Sequence, residues 1–498
     1  MPFLLLFSVF VIATCGLIYE LVAGTLASYL LGDSVTQFST IIGTYLFAMG
    51  IGSFLSKYVQ KNLITVFIRV ELLIGLLGGF SAAFLFLVFE FVSAFKLLMY
   101  GQVALTGILV GLEIPLLMRI MKDRFEFKDL VGNIFTFDYI GALAASILFP
   151  VLLVPHLGLV RTSLLFGIFN VAVAMWAIYL FRDQVKGIGL TRTAAGLSMV
   201  ALILGMVFSG NLLRFAEAQG YAETIIYAKS SQYQRIVLTR GRKSFRLFLN
   251  GNLQFDARDE YRYHEALIHP GLAALPQAKK ALVMGGGDGL AVREILKYPG
   301  IESVDLVDLD PAVTQLFRDR DDLAALNRGA LSSPKVTVTN DDAFGWVRRR
   351  EKPFDFIAVD FPDPSNFSLG KLYSLRFYQE LFRITAPYGI IVIQSTSPYV
   401  APNSFWCVER TLSEAGFETV PYHAYVPSFG EWGFIIGLKR PYEIPQTYPD
   451  SLRFVTPGTV KEMLNFPPDM QKRSVEVNRL NNQVLVQYFE AEWGNYVE

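Results

Sequence analysis

The sequence contains very little cysteine and histidine. Of its 498 residues, two are cysteines, Cys15 and Cys407, and four are histidines. The two cysteines lie far apart, and the histidines do not have the spacing of metal ligands. These scarcities argue against a disulfide framework and against a zinc site. We therefore expect no metal cofactor.

The chain also lacks a surplus of charge of either sign. It has 44 basic and 44 acidic residues, so its formal net charge is +0. Proteins that bind nucleic acid usually carry a basic surplus or a basic face. The even balance argues against a nucleic-acid partner.

Polar residues are scarce in the first 215 positions. The chain is 52% hydrophobic and has a mean hydropathy of +0.39, which is too apolar for an ordinary soluble protein. We expect a transmembrane domain of about seven helices over 1–215, with the lipid bilayer as its surroundings and the inner cell membrane as its location. The apolar spans, each long enough for a hydrocarbon core of ~30 Å, lie at roughly 4–30, 36–56, 64–90, 92–118, 134–155, 160–181 and 193–213.

Two acidic residues, Glu20 and Glu113, lie inside these spans. An ionisable side chain at membrane depth usually indicates a function. The two carboxylates could bind a cationic polyamine, which would make this half of the chain a module for transport or substrate delivery. Alternatively, they are structural carboxyls that are protonated or paired. The sequence favours neither interpretation.

The charges of the loops predict on which side of the membrane the second half of the chain lies. Basic residues concentrate in the loops near 57–61, 119–128 and 182–192, and the positive-inside rule puts such loops in the cytoplasm. With seven spans, everything after the last span would then lie outside. An enzyme that uses a cytosolic cosubstrate should lie on the cytoplasmic side, which is where we expect the second half of the chain.

The second half contains a glycine-rich turn. An apolar run over 281–284 precedes a glycine cluster that includes Asp288, and a helical pattern follows over 290–297. Strand, glycine turn and helix are the opening of a nucleotide-binding α/β unit. Asp288 would repel a phosphate but suits a sulfonium or an amine. The turn alone leaves a cofactor site and an ordinary βα connection equally open.

An acidic residue also ends the next strand-like run, 303–309. Asp308 comes about 20 residues after the glycines, where a carboxylate can hold ribose hydroxyls. The alternative for an acid at such a place is a helix cap, and we expect that role for Asp310, which precedes Pro311.

The predicted fold class is an α-helical transmembrane bundle followed by α/β. We predict a small β-hairpin domain over 216–270, because Asn250-Gly251 between two apolar runs is typical of a hairpin. Strand-like runs alternating with helical patterns predict a doubly wound, mostly parallel Rossmann-like sheet over 271–440, of the class I methyltransferase type. These runs are 281–284, 303–309, 335–339, 355–360, 389–394 and 433–438.

Acidic residues follow several of these strands. Because the carboxyl ends of parallel strands meet at one edge of the sheet, we expect these side chains to gather there in an acidic pocket. They are Asp288, Asp308, Asp342 and Asp360, with Asp363 in the loop beyond.

In this order the motifs resemble those of the spermidine synthase family of aminopropyltransferases, in the branch with an N-terminal multispan domain. The likeness covers about 230–439. The matching segments are Ser-Gln-Tyr-Gln (231–234), Leu-Asn-Gly-Asn-Leu-Gln (249–254), Asp-Glu-Tyr-Arg-Tyr-His-Glu (259–265), Gly-Gly-Gly-Asp-Gly (285–289), Val-Asp-Leu-Asp (307–310), Asp-Asp-Ala (341–343) and Asp-Phe-Pro-Asp-Pro (360–364).

The resemblance implies that decarboxylated S-adenosylmethionine donates an aminopropyl group to a diamine such as putrescine. We also expect a homo-oligomer. Carried over by position, the resemblance assigns Asp360 as the catalytic base, Gln234, Gly285, Gly287, Asp288, Asp308, Asp342 and Ala343 to the donor, and Gln254, Tyr263, His264, Asp363 and Tyr425 to the acceptor.

The chemistry of such a transfer agrees with an acidic pocket. An amine with a solution pKa near that of lysine, ~10.4, must lose a proton before it attacks the carbon beside a sulfonium. A carboxylate within reach can accept that proton. Further carboxylates offset the repulsion between two cationic reactants.

Some positions depart from the family pattern, and two other functions stay open. Leu290 follows the loop where a glycine is usual, Asp308 replaces a longer glutamate, and Phe361-Pro362 separates the last two acids, so the acceptor stays open. The alternatives are an S-adenosylmethionine-dependent methyltransferase on the same fold and a polyamine transporter with a sensing domain.

The tail, 441–498, holds several prolines and then a helical pattern from Lys472 onward. It would either cover the site as a lid or pack on the sheet.

Overall fold

The computed structural model describes residues 2–31, 34–89, 94–122, 126–242 and 244–497. The chain divides into two compact units, residues 1–224 and 225–498. The sequence places this boundary at 215, but the last helix of the first unit continues through Gly220.

The first unit is helical. Within the described residues, six helical segments are long and apolar enough to cross a membrane, judged by length and composition. Its helices are α1 (Pro2–Leu31), α2 (Ser34–Leu55), α3 (Leu63–Gly79), α4 (Ser81–Phe89), α5 (Phe95–Met121), α6 (Phe127–Leu148), α7 (Val154–Leu180) and α8 (Ile188–Gly220).

One of the six segments, Lys128–Leu180, is 53 residues long and includes both α6 and α7. A π-helical turn, Phe149–Leu153, joins the two helices. Gly158 has a φ of 72° and breaks the helical backbone near the start of α7. At 1.5 Å per residue, an unbroken helix of this length would greatly exceed a ~30 Å hydrocarbon core. The break at Gly158 is compatible with the two spans that the sequence predicts there.

Close helix packing in this unit depends on glycine. A Cβ atom at Gly52 of α2 would lie 2.0 Å from the carbonyl oxygen of Ile108, and one at Gly111 of α5 would lie 2.1 Å from that of Met49. Both distances are far below van der Waals contact. Helices α2 and α5 therefore approach this closely because each has a glycine facing the backbone of the other. This is how glycine lets helices approach in an apolar environment.

The second unit begins with a four-stranded sheet in the order β1-β2-β3-β4. Its strands are β1 (Thr224–Ser230), β2 (Arg235–Arg240), β3 (Phe245–Leu249) and β4 (Asn252–Asp256). Strands β3 and β4 are antiparallel, and the turn between them has positive φ at Asn250 (51°) and Gly251 (82°). These are the conformations that an Asn-Gly hairpin requires.

A seven-stranded sheet follows, in the order β10-β11-β9-β8-β5-β6-β7. Strands β7, β6, β5, β8 and β9 pair in parallel, and β11 and β10 are antiparallel additions. The strands are β5 (Lys280–Gly285), β6 (Ser303–Asp308), β7 (Val336–Asn340), β8 (Phe354–Asp360), β9 (Thr385–Gln394), β10 (Glu418–Val426) and β11 (Gly430–Leu438).

Helices cover both faces of this sheet, as the predicted doubly wound fold requires. Side chains of α9, α10 and α11 share one buried core with the sheet, and those of α13, α15 and α16 share a second core with its other face. The helices are α9 (Glu260–Leu272), α10 (Leu290–Ile295), α11 (Pro311–Asp319), α12 (Asp321–Leu326), α13 (Ala343–Arg348), α14 (Phe367–Gly370), α15 (Leu375–Ile384), α16 (Pro402–Glu414), α17 (Pro457–Met463) and α18 (Val484–Val497).

Two expectations for this unit need correction. Strand β10 is absent from the predicted series, because Pro421 within it cannot donate a ladder hydrogen bond; at the edge of a sheet that loss is tolerated. In the tail, the predicted helix from Lys472 is wrong. The helix begins only at Val484, and the residues just before it have no regular structure.

Candidate active site

Three of the predicted acidic side chains, Asp288, Asp308 and Asp360, lie where the strand order of the sheet reverses. Strand β5 has β6 on one side and β8 on the other. In register, Gly285 pairs with Asp360, and Met284 pairs with Val307, the residue before Asp308. The carboxyl ends of three neighbouring parallel strands therefore bring the glycine loop, Asp308 and Asp360 together. In open α/β sheets this is the usual place for a ligand.

The glycine loop is shaped by contact with those carboxylates. Gly285 and Gly286 have φ values of 81° and 62°, which other residues rarely adopt. A Cβ atom at Gly285 would lie 2.1 Å from the carbonyl oxygen of Asp360, and one at Gly287 would lie 2.7 Å from Oδ2 of Asp308. Any side chain at either position would displace the strand ends that carry the acids.

Asp308 and Asp288 each accept backbone hydrogen bonds within this turn. Asp308 accepts from the N–H of Gly287 at 3.0 Å and from that of Asp310 at 2.9 Å, and Asp288 accepts from the N–H of Leu290 at 2.9 Å. Burial raises the pKa of Asp308 to about 6, although the two backbone bonds oppose the shift. Burial also raises the pKa of Asp288 to about 6, against the opposing charge of His264.

Asp360 is oriented by a tyrosine of α9. The hydroxyl of Tyr263 donates a hydrogen bond of 2.6 Å to Oδ1 of Asp360. The other oxygen, Oδ2, faces the glycine loop, since a Cβ atom at Gly286 would lie 3.1 Å from it. Burial raises the pKa of Asp360, while the charge of His264 and the Tyr263 bond act in the opposite direction. One oxygen of this carboxylate is thus fixed, and the other faces the space beside the loop.

Behind Asp360 lies a buried chain of charges. Nδ1 of His264 is 2.8 Å from Oε2 of Glu260, and Arg293 donates from Nη1 and Nη2 to the two oxygens of Glu260, both at 2.9 Å. Burial lowers the pKa of His264, but its bond to Glu260 and the charge of Glu260 outweigh burial and raise it to about 9. The imidazole is therefore a cation at neutral pH and lies among carboxylates.

Asp363 lies in the loop after β8. Its Oδ2 accepts a hydrogen bond of 3.2 Å from the hydroxyl of Thr396, and its buried Oδ1 has no partner among the described residues. Burial raises the pKa of Asp363 to about 7, and the hydrogen bond from Thr396 reduces the shift. An unpartnered buried oxygen of this kind is costly and is available to a cation.

Comparison with known proteins shows the family of this chain. A family model described as the spermine/spermidine synthase domain matches residues 260–447. A polyamine aminopropyltransferase of Leptospira interrogans is 51% identical over 491 residues, 99% of each chain. Polyamine aminopropyltransferase 2 of Ralstonia nicotianae is 54% identical over 499 residues, 98% of each chain. This chain belongs to the polyamine aminopropyltransferase family. It is a transferase.

Among solved structures, the spermidine synthase of Thermotoga maritima matches with 23% identity and a TM-score of 0.41, covering 54% of this chain and 88% of the other.

In this aminopropyltransferase, Gln234 is tied to the glycine unit through Asp310. Its Nε2 donates to Oδ2 of Asp310 at 3.0 Å, and the hydroxyl of Ser231 donates to the same oxygen at 2.7 Å. The other oxygen of Asp310 accepts from the N–H of Ala312 at 2.9 Å, which makes Asp310 the cap of α11 as expected. These hydrogen bonds hold the segment 231–234, just before β2, next to Asp310, two residues after Asp308.

Asp342 follows β7 and begins α13. Its Oδ2 accepts from the N–H of Gly345 at 3.0 Å, so that it caps the helix whose first residue is Ala343. Its Oδ1 lies 3.1 Å from Nζ of Lys371. Lys371 is missing from the sequence-derived site, because nothing in a single sequence pairs residues so far apart in the chain.

Two predicted acceptor residues have no bond to the acidic pocket among the described residues. Nε2 of Gln254 donates to the carbonyl oxygen of Asn252 at 3.2 Å. Tyr425 is 54% exposed, and its carbonyl oxygen accepts from Nε of Arg262 at 2.7 Å.

The sequence analysis also missed Glu260 and Thr396, which bond directly to the predicted site residues His264 and Asp363. It missed as well the residues that hold these two, because Arg293 donates to Glu260 and Gln394 accepts from the N–H of Thr396. Only Glu260 carries a signal, because it is one helical turn before His264. Within the described residues, no group of three or more His, Cys, Asp or Glu side chains is arranged to hold a metal ion.

Proposed function

We propose that this enzyme transfers the aminopropyl group of decarboxylated S-adenosylmethionine to a diamine, with putrescine as the expected acceptor and spermidine as the product. The observation that carries the proposal is the position of Asp360. Tyr263 fixes one of its oxygens, and the other faces the glycine loop that carries Asp288. A base is thus held beside the place where a nucleotide-like donor would lie.

The donor roles follow from the hydrogen bonds around the loop. Gly285 and Gly287 let the donor approach the backbone closely. The carboxylate of Asp308 keeps lone pairs free beyond its two backbone bonds, which suits the hydroxyls of a ribose. Asp288, with Gln234 beside the loop, would hold the ammonium at the end of the aminopropyl chain. Asp342 and Ala343, at the start of α13, would face the adenine.

The transfer step uses Asp360 as the base. A protonated acceptor amine gives one proton to the Asp360 carboxylate, and the nitrogen lone pair then attacks the carbon beside the sulfonium. A C–N bond forms while the C–S bond breaks, and its electron pair neutralises the sulfonium to a thioether. The remaining carboxylates stabilise two cationic reactants at close range, and holding both in line supplies a further part of the rate.

The site geometry favours a different role for His264 from the one that the resemblance assigns. A cationic imidazolium would repel a cationic acceptor. Held by Glu260, its charge acts on both Asp288 and Asp360. We propose that His264 limits the rise of their pKa values, so that both carboxylates stay ionised at neutral pH. We propose that Tyr263 and Asp363 help to bind the acceptor. For Gln254 and Tyr425, acceptor binding stays a prediction.

A methyltransferase on the same fold is less compatible with the pocket. Intact S-adenosylmethionine carries an additional carboxylate in its tail, which Asp288 would repel. Product mass separates the two reactions, because purified protein incubated with either donor and putrescine would add one aminopropyl unit or one methyl group. We expect aminopropyl transfer from the decarboxylated donor and no methyl transfer from the intact one. Methylated product would contradict the proposal.

Replacing Asp360 separates an enzyme from a sensing domain. We expect Asp360→Asn to lower kcat by about 10²–10⁴-fold, while the donor still binds in calorimetry. The matched control is Asp355→Asn at the other end of β8, where the carboxylate accepts from the N–H groups of Lys279 and Lys280 at 2.9 Å. Unchanged turnover in Asp360→Asn would overturn the assignment of the base.

We further propose that the first unit anchors the enzyme in the inner membrane, with the second unit in the cytoplasm. The six apolar segments support membrane anchoring. The cytosolic origin of the donor supports a position of the second unit on the cytoplasmic side of the membrane. Protease digestion of spheroplasts and of inverted vesicles tests this, and cleavage of the second unit in spheroplasts would contradict it. A homo-oligomer stays a prediction.

A further inference from the structure

The C-terminal helix α18 reaches the loop that faces Asp363. Trp493 of α18 donates from Nε1 to the hydroxyl oxygen of Thr396 at 3.2 Å. Thr396 in turn donates to Oδ2 of Asp363 at 3.2 Å. Three side chains from distant parts of the sequence thus form one hydrogen-bonded relay, Trp493–Thr396–Asp363.

The direction of this relay is fixed by chemistry. An indole N–H can only donate, so the oxygen of Thr396 must accept from Trp493. A hydroxyl has one hydrogen, and the Trp493 bond turns it away from α18 towards Asp363. Chains of this kind strengthen each member by polarisation. Oδ2 of Asp363 is then occupied, and its Oδ1, buried and without a partner among the described residues, is the oxygen left for a cation.

The backbone of Thr396 is held in an unfavourable conformation. Its φ is 52° and it is 1% exposed; a buried β-branched residue at positive φ is rare. Two hydrogen bonds maintain this backbone conformation. The N–H of Thr396 donates to Oε1 of Gln394 at 3.2 Å, and the carbonyl oxygen of Thr396 accepts from the N–H of Gly433 at 2.7 Å. Such strain is usually retained where it orients a functional group.

Helix α18 is anchored one residue before Trp493. Glu492 accepts from the N–H groups of Asn403 and Ser404 at 2.8 and 3.0 Å, and from the hydroxyl of Ser404 at 2.9 Å. These groups begin α16, whose N-cap residue, Ala401, makes no side-chain cap. Glu492 therefore supplies the missing cap from another helix, and this fixes the position of the neighbouring indole.

We propose that α18 positions the acceptor, because the relay through Trp493 and Thr396 holds Asp363 with one oxygen directed at the ammonium group of the diamine that does not react. Trp493 and Thr396 are positioning residues in this scheme. The inference rests on the proposed function, since it takes an aliphatic diamine as the acceptor. It gives the tail a role in substrate selection without requiring it to open and close.

The test compares the steady-state kinetics of three variants of the full-length protein. Thr396→Val keeps the shape and the backbone strain but removes the hydroxyl, Thr396→Ser keeps the hydroxyl, and Trp493→Phe removes only the indole donor. We expect Thr396→Val and Trp493→Phe to raise the KM for putrescine by about five- to tenfold, the effect of one lost hydrogen bond. The KM for the donor should change by less than about twofold, and Thr396→Ser should behave like wild type.

Trp406→Phe is the matched control. Its indole Nε1 also donates one hydrogen bond, of 3.1 Å, but to the carbonyl oxygen of Met470 and not to a residue that bonds to Asp363. Its thermal stability should fall while the KM for putrescine stays unchanged. If Trp493→Phe and Thr396→Val leave the KM for putrescine unchanged in an active enzyme, or raise both KM values equally, the relay is overturned. Wild-type protein that transfers no aminopropyl group to any diamine would instead overturn the proposed function itself.

Discussion

Asp360 and Asp363 are chemically identical side chains three positions apart, and the fold gives them different surroundings. Asp360 has a phenolic donor on one oxygen and faces the glycine loop with the other. Asp363 has a weaker hydroxyl donor, and its buried Oδ1 has no partner in the part of the chain that the structure describes. Burial raises its pKa to about 7. The motif Asp-x-x-Asp places the two acids close together, but their neighbours on α9 and after β9 differ, and this difference supports the proposal of one as the base and the other as a cation ligand.

Removing the hydroxyl of Tyr263 tests the control of Asp360. In Tyr263→Phe the pKa of Asp360 should rise further, because a hydrogen bond that favours the charged carboxylate is lost. We expect kcat to fall by about 10- to 100-fold and the acid side of the kcat–pH profile to move to higher pH. The control is Tyr422→Phe, whose hydroxyl donates to the carbonyl oxygen of Ala266 at 2.7 Å in the same core. A profile unchanged in Tyr263→Phe would contradict this account.

The pH dependence of donor use follows from Asp288 and Asp308. Burial raises both pKa values to about 6, so below that pH the carboxyls are neutral and attract a cationic donor less. We expect kcat/KM for the donor to rise steeply between about pH 5 and about pH 7, since this ratio reports the free enzyme. Asp288→Asn should raise the KM and make the rise shallower. A flat profile would show that neither acid must be ionised.

At the scale of elements, α9 organises the site from one face. Tyr263 and His264 each lie about one helical turn after Glu260, so both are on the side of the helix that carries Glu260. The N-terminus of α9 is held by Asp259, whose carboxylate accepts from the N–H and the hydroxyl of Ser428 at 2.7 and 2.9 Å. A single rigid helix thus sets both the orientation of Asp360 and the position of the His264 charge.

The ion pair between α9 and α10 should be important for stability. Arg293 and Glu260 have side chains only 8% and 5% exposed, so removing Arg293 takes two hydrogen bonds from a buried carboxylate that keeps only His264 as a cationic partner. We expect Arg293→Met to lower the free energy of unfolding of the second unit by about 3–5 kcal/mol. Arg318→Met is the control, because Arg318 and its partner Asp319 are 46% and 62% exposed, and such pairs contribute about 0–1 kcal/mol. Equal unfolding midpoints in denaturant would contradict this prediction.

At the scale of the whole molecule, the acidic residues of the two units have separate surroundings. In the first unit, Glu113 is 1% exposed and lies beside Glu71, which the sequence analysis missed. Glu71 accepts from Nδ2 of Asn170 at 2.8 Å, and Asn170 accepts from the hydroxyl of Tyr19 at 3.0 Å. Glu113 thus lies in a buried cluster of polar side chains, which is compatible with a paired structural carboxyl.

The double variant Glu20→Gln, Glu113→Gln tests what the first unit does. The proposed base and the proposed donor carboxylates belong to the second unit, so aminopropyl transfer by the purified variant should be within about twofold of wild type. If the first unit delivers polyamines, uptake or release of labelled spermidine by intact cells should fall in the same variant. Unchanged polyamine handling would remove the delivery hypothesis. Lost transfer by the purified variant would contradict the separation of tasks.

The sequence by itself determined the local features of this protein. Apolar runs marked β5, β6, β7, β8, β9 and β11, glycines marked the turn after β5, and the register of parallel strands brought the acids to one edge. These follow from short-range periodicity and from the geometry of a parallel sheet. The tertiary structure alone decided the partners: Tyr263 on Asp360, Arg293 on Glu260, and Trp493 on Thr396. Such contacts join residues distant in the chain, and no local pattern of hydrophobicity or propensity encodes which two side chains will meet.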